Sequence, residues 1–74
     1  SLKTVRSVTL QTDSDIMLTV KLDGKAYEYA VKGSDLLKTV PVERSGRKIG
    51  FEISCAAKHA YVTPLIVSVD TLAI

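Results

Sequence analysis

The run Ile16-Met17-Leu18-Thr19-Val20-Lys21-Leu22 is followed by Asp23-Gly24 and then by Lys25 to Val31. Apolar side chains recur at every second position from 16 to 22, the period of a strand with one buried face. Asp-Gly is the strongest short hairpin signal, because both central residues of a type I′ turn need positive φ. With those two residues as the turn, Leu22 faces Lys25, Val20 faces Tyr27, Leu18 faces Tyr29 and Ile16 faces Val31. The other face then pairs Lys21 with Ala26, Thr19 with Glu28 and Met17 with Ala30. A slip of one residue would send the apolar row to the wet side, so the register is specified. A chain built around this hairpin is antiparallel β.

Further turn signals fall at Asp13-Ser14-Asp15, Lys32 to Asp35, Ser45-Gly46 and Ala56 to Ala60. A spacing of about 10–12 residues with no helical period predicts an all-β sandwich or barrel. We expect a compact antiparallel β-sandwich or half-open barrel of about six strands, near 3–12, 15–23, 25–32, 36–44, 47–55 and 61–73. A three-residue loop at 13–15 sets Val8 beside Val20 and Leu10 beside Leu18, which continues one apolar face over three strands. Ser45-Gly46 as a second tight turn sets Val42 beside Ile49, Val40 beside Phe51 and Leu36 beside Cys55, with Glu43 meeting Lys48 and Thr39 meeting Glu52. Lys38 then falls against Ile53, with its stem snorkelling past the core edge. Pro41 lacks a ladder donor and marks an edge or a bulge, and Gly50 suggests a bulge or a close backbone approach. The segment 56–60 reads as a helical turn or a plain loop, and the last strand as bulged near Asp70. The expected core is Val8, Leu10, Ile16, Leu18, Val20, Tyr27, Tyr29, Val40, Val42, Ile49, Phe51, Ile53, Leu65, Val67 and Val69.

Seventy-four residues make a single β-domain, 1–74. A chain this short buries only roughly 60% of its unfolded surface, so its stability is marginal without a staple or a partner. One cysteine, Cys55, excludes an internal disulfide, and with one histidine, His59, it makes no zinc set. The 46% hydrophobic content supplies a core. A net charge of +2 describes a mixed surface and not a polyanion binder. No apolar stretch approaches the ~20 residues of a membrane-spanning helix. The chain begins at Ser1 without an initiator Met and stays apolar to Ile74, so we expect a domain excised from a longer protein.

Chemistry-bearing patterns are few. Arg44-Ser45-Gly46-Arg47-Lys48 is the one charge cluster, a basic finger for phosphates or a solvated turn that guards a strand edge. Tyr27 and Tyr29 share a face with Val20 and Leu18 and read as core. Tyr61 is less constrained and suits a surface groove or an interface. Cys55 continues the inward series of its strand and reads as a buried thiol. Asp13 and Asp15 are too few for a cation site and read as a solvated turn. Met17, Leu37 and Ile66 are apolar residues expected outside the core, natural points of contact with a partner. We expect no catalytic, cofactor-binding or metal-binding residues and no enzyme activity. Candidate interaction residues are Arg44, Arg47, Lys48, Tyr61, Met17, Leu37 and Ile66.

The opening "VRSVTLQTDSDIMLTVKLDGKAYEY", the middle "VPVERSGRKIGFEIS" and the closing "VSVDTLAI" resemble a small β-domain of tailed-bacteriophage and prophage structural proteins. The shared order is an alternating strand, a "DG" hairpin, an Arg/Gly turn before an aromatic strand ending in Ser, and a terminal strand with Asp and Leu. The resemblance implies a structural protein–protein interaction module of a virion or tail, found in the particle or the host cytoplasm, and transfers no functional residue. We therefore expect a non-enzymatic structural domain with protein partners or self-association, without a cofactor, membrane or small-molecule substrate. The alternatives are a nucleic-acid-binding β-barrel using the 44–48 turn and a carbohydrate-binding module using Tyr61.

Overall fold

A computed structural model describes residues 2–56 and 58–71. The strands are β1 (Lys3–Leu10), β2 (Ile16–Leu22), β3 (Lys25–Val31), β4 (Lys38–Gly46), β5 (Ile49–Cys55) and β6 (Ile66–Thr71). They form two three-stranded antiparallel sheets, ordered β4-β1-β6 and β3-β2-β5. Of the two expected architectures the chain adopts the sandwich. The β2–β3 hairpin has the expected register at every pair, from Ile16 with Val31 to Leu22 with Lys25. Asp23 and Gly24 hold φ of 51° and 85°, the left-handed geometry that this turn requires.

Two other expected hairpins do not form. β1 pairs with β4 and β6, not with β2. Val8, Leu10, Leu18 and Val20 are all fully buried, but they lie in different sheets and belong to opposite walls of the core. The 11–15 segment crosses between the sheets instead of turning within one. The buried hydroxyl of Thr12 organises that crossing: it donates to the Ser14 carbonyl at 2.8 Å and accepts from the Ser14 N–H at 3.2 Å.

Likewise β4 and β5 are not neighbours. β4 pairs with β1 and β5 with β2, so Ile49, Phe51, Ile53 and Cys55 face Leu22, Val20, Leu18 and Ile16. Residues 47–48 carry the chain from one sheet to the other. Leu36 lies outside the strand and is exposed, not set beside Cys55. Lys38 pairs with Leu10, and Glu52 gives its carboxylate to Lys21 Nζ at 2.7 Å. Gly50 sits in unbroken register with Lys21 and marks no bulge.

The irregularity sits elsewhere. Between Val5 and Ser7, β1 carries Arg6 as an extra residue against β6, while β4 carries Val42 and Glu43 against Arg6. Pro41 is therefore on an edge strand and beside a bulge, as its missing donor requires. This bulge resets the alternation of β1, and Val5 joins the core although strict alternation from Leu10 and Val8 would turn it outward. The fully enclosed residues are Val5, Val8, Leu10, Leu18 and Val20, with Ile16, Leu22, Val31 and Val42 nearly so. Tyr27, Tyr29, Val40, Ile49, Phe51, Cys55, Leu65 and Val67 pack against them half-buried, so the Cys55 thiol is less enclosed than expected. Ile53 and Val69 remain 40% and 39% exposed and are not core.

The sandwich is asymmetric from side to side. On the β3–β4 margin, the Arg44 guanidinium lies 3.9 Å from the centre of the Tyr27 ring and links β4 of one sheet to β3 of the other. On the β5–β6 margin, Ile53 and Val69 face inward beside the buried Leu18 and Val5, yet stay open to water. The last strand, expected over 61–73, is regular only from Ile66 to Thr71; residues 72–74 lie outside the described residues. The 58–65 segment is irregular apart from one bridge between Thr12 and Val62, and no helical turn is found among the described residues of 56–60.

Candidate functional site

The expected interaction residues do not converge. Arg44, Arg47 and Lys48 lie at the end of the sandwich that carries the Asp23-Gly24 turn. There the Asp23 carboxylate accepts the N–H groups of Arg47 at 3.0 Å and Lys48 at 2.9 Å, and the Asp23 N–H donates to the Lys48 carbonyl at 3.0 Å. Those two donated bonds, Lys48 first, hold the carboxyl below the usual carboxylate range. The 44–48 turn, read as a basic finger or a solvated turn, is built around the Asp23 carboxylate, and Arg44 lies over the Tyr27 ring.

Leu37 and Ile66 are exposed at 60% and 62% and lie at the opposite end, near the Leu10 end of the β4-β1-β6 sheet. Met17 is half-buried on the outer face of the other sheet, between Ala30 and Ser54, and is less available than expected. It lines a wide, shallow depression with Asp15, Ala30, Cys55 and Ala56.

Tyr61 stands apart from these. The residue is 84% exposed, whereas its backbone is clamped. The Tyr61 N–H donates to Asp13 Oδ1 at 2.8 Å, and the Asp13 N–H donates to the Tyr61 carbonyl at 3.1 Å. Two residues on, the Thr63 N–H donates to the Gln11 carbonyl at 2.9 Å, and the Gln11 N–H donates to Thr63 Oγ1 at 2.9 Å. Between them Thr12, 2% exposed, bridges Val62 and anchors the segment to the interior. Gly33 presses on the same segment: a Cβ there would meet the Asp13 carbonyl oxygen at 2.7 Å and the Ser14 nitrogen at 2.8 Å. Gln11, Asp13, Tyr61 and Thr63 together line a hollow of about 140 Å³. Sequence reasoning singled out Tyr61 and read Asp13 as a solvated turn. It missed Gln11 and Thr63, which carry no motif and meet only because the chain returns to the end of β1 about fifty residues later.

Among the described residues there is no cluster of three or more His, Cys, Asp or Glu that could hold a metal ion, and no helix long and apolar enough to cross a membrane. Comparison with protein-family models, curated proteins and solved structures gives no match.

Proposed function

We propose that this chain is a non-enzymatic structural and interaction domain whose β5–β6 margin is completed by a neighbouring protein subunit. One observation carries the reading. Two inward-facing rows, Phe51 and Ile53 on β5 and Val67 and Val69 on β6, reach the same side of the sandwich, and among the described residues Ile53 and Val69 stay open to water there. Single exposed apolar residues are ordinary. Here they belong to the inward faces of both sheets and border β5 and β6, which are edge strands among the described residues, the arrangement that adds a strand or a subunit. The resemblance to phage β-domains favours a particle or tail protein as the parent.

The test is the absolute mass by light scattering on a sizing column, over a wide concentration range, for the chain and for Ile53→Lys/Val69→Lys. A discrete oligomer that the double variant dissociates, while it keeps the β-sheet circular dichroism signal, supports the reading. A strict monomer, or an oligomer indifferent to both lysines, removes self-association through this margin.

A further inference from the structure

We propose that the hollow between Gln11, Asp13, Tyr61 and Thr63 binds a single ring of a neutral sugar, with the Tyr61 face as its platform. This goes beyond the interaction role and lies away from the β5–β6 margin. The exposure of Tyr61 is not explained by a slack loop, because its segment is held to the end of β1 by reciprocal bonds on both sides of a buried bridge. An exposed aromatic on a fixed backbone contributes nothing to the core and has only two side-chain torsions to order when it binds.

The polar atoms around the ring retain unused capacity. Asp13 Oδ1 takes the Tyr61 N–H and the Ser14 hydroxyl at 3.2 Å, and Oδ2 accepts no hydrogen bond among the described residues. The Gln11 side-chain amide reaches the Ser34 carbonyl only at 3.5 Å, and its oxygen makes no hydrogen bond among the described residues. The Thr63 hydroxyl accepts from the Gln11 backbone and keeps its own proton to donate. A hollow lined by an aromatic residue, a carboxylate, a carboxamide and a hydroxyl matches a pyranose: its C–H face stacks and its vicinal hydroxyls both donate and accept. Alternative ligands fit less well. A phosphate or an acidic sugar would meet the Asp13 charge, and a metal ion would find one carboxylate where it needs several oxygens.

Size sets the scale of affinity. A hollow of about 140 Å³ is well below the ~300–1,000 Å³ of sites that enclose a drug-sized ligand. It seats one ring and leaves the rest in solvent, so the dissociation constant should be on the order of 1 mM.

The experiment is a two-dimensional amide NMR titration of the whole chain with the methyl glycosides of glucose, galactose, mannose and N-acetylglucosamine, and with sorbitol as an open-chain control. The expected result is saturable shifts for at least one glycoside, confined to residues 11–13 and 61–63, and none for sorbitol. Tyr61→Ala should weaken binding at least tenfold. Asp13→Asn, which keeps the oxygen that clamps Tyr61 and changes the open one, should weaken it severalfold. The unperturbed spectrum of each variant reports folding, and if one is unfolded the other decides. Absence of saturable shifts with all four glycosides, shifts elsewhere, or undiminished binding in a folded Tyr61→Ala protein would overturn the proposal. None of these results bears on the light-scattering test of the open margin.

Discussion

Asp23 acts twice at one corner. Its backbone supplies the first left-handed residue of the β2–β3 turn, and its carboxylate caps the N–H groups of Arg47 and Lys48 where the chain changes sheets. Its pKa is lowered in the folded state. Its contribution is therefore present above the ordinary carboxylate value and is lost as pH falls through the lowered folded value. Asp23→Asn keeps the turn geometry and an acceptor oxygen but removes the charge. Urea midpoints measured from neutral pH to about pH 2 should show a smaller acid-dependent drop in the variant, with the two curves converging at the acid end. Glycines separate two kinds of constraint. Gly24 has φ +85° and open space, so Gly24→Ala should cost about 1 kcal/mol of left-handed strain. Gly33 has backbone within 2.8 Å of the added carbon, and Gly33→Ala should cost more, about 2–3 kcal/mol. Equilibrium denaturation of both variants checks that order.

At the scale of elements, the shared bulge of β1 and β4 is the feature that shapes the first sheet. Arg6 projects from it to both edge strands, with Nε 2.6 Å from Asp70 on β6 and Nη1 3.4 Å from Glu43 on β4. Those pairs, with the Asp70 bond first, raise the Arg6 pKa further above its already high value, so the guanidinium stays charged throughout the working range. Glu43 sits at φ 51°, a conformation that costs a side-chain-bearing residue about 1–2 kcal/mol. An exposed ion pair of this length returns about 0.5 kcal/mol or less. Relief of strain should therefore outweigh the lost pair. Glu43→Gly should leave the thermal midpoint unchanged or raise it, whereas Glu43→Val, β-branched at the same φ, should lower it. A midpoint that falls equally in both would mean that the ion pair, not the backbone, holds the bulge. The bulge also explains why Val5 is hidden from pattern reasoning: its strand changes phase at Arg6, and no residue type in VRSV announces that.

Across the whole molecule, enclosure is concentrated in the two central strands. Leu18 is fully buried, and Leu18→Ala should cost about 2–5 kcal/mol. A core this small supplies about 3–5 kcal/mol in total, so that single change should leave the isolated chain largely unfolded at 25 °C by circular dichroism. Ile53 pairs with Leu18 but is 40% exposed, and Ile53→Ala should cost about 1 kcal/mol. If a subunit covers the β5–β6 margin, the melting temperature of the parent chain should rise with its concentration, and that of Ile53→Lys/Val69→Lys should not.

The sequence by itself determined what is local. Alternation plus a two-residue Asp-Gly loop leaves one register for β2 and β3, and all seven pairs are found. Composition and turn spacing also determined the all-β class, and Pro41 its edge. What only the tertiary structure decided is which strands lie beside one another and which lie across the core. Alternation says that Val8, Leu10, Val40, Phe51 and Ile53 point to one side; it gives the same pattern whether a partner is a neighbour in the sheet or faces it from the other sheet. The β1–β2 and β4–β5 connections were read as hairpins for that reason. The arrangement found instead pairs β1 with β4 and β6 and β2 with β5, and distant contacts accompany it: Thr12 with Val62, and the Asp23 carboxylate with residues 47–48. The candidate site divides in the same way. Tyr61 was legible as an unconstrained aromatic, while Gln11, Asp13 and Thr63 joined it only through pairing between segments far apart in the chain.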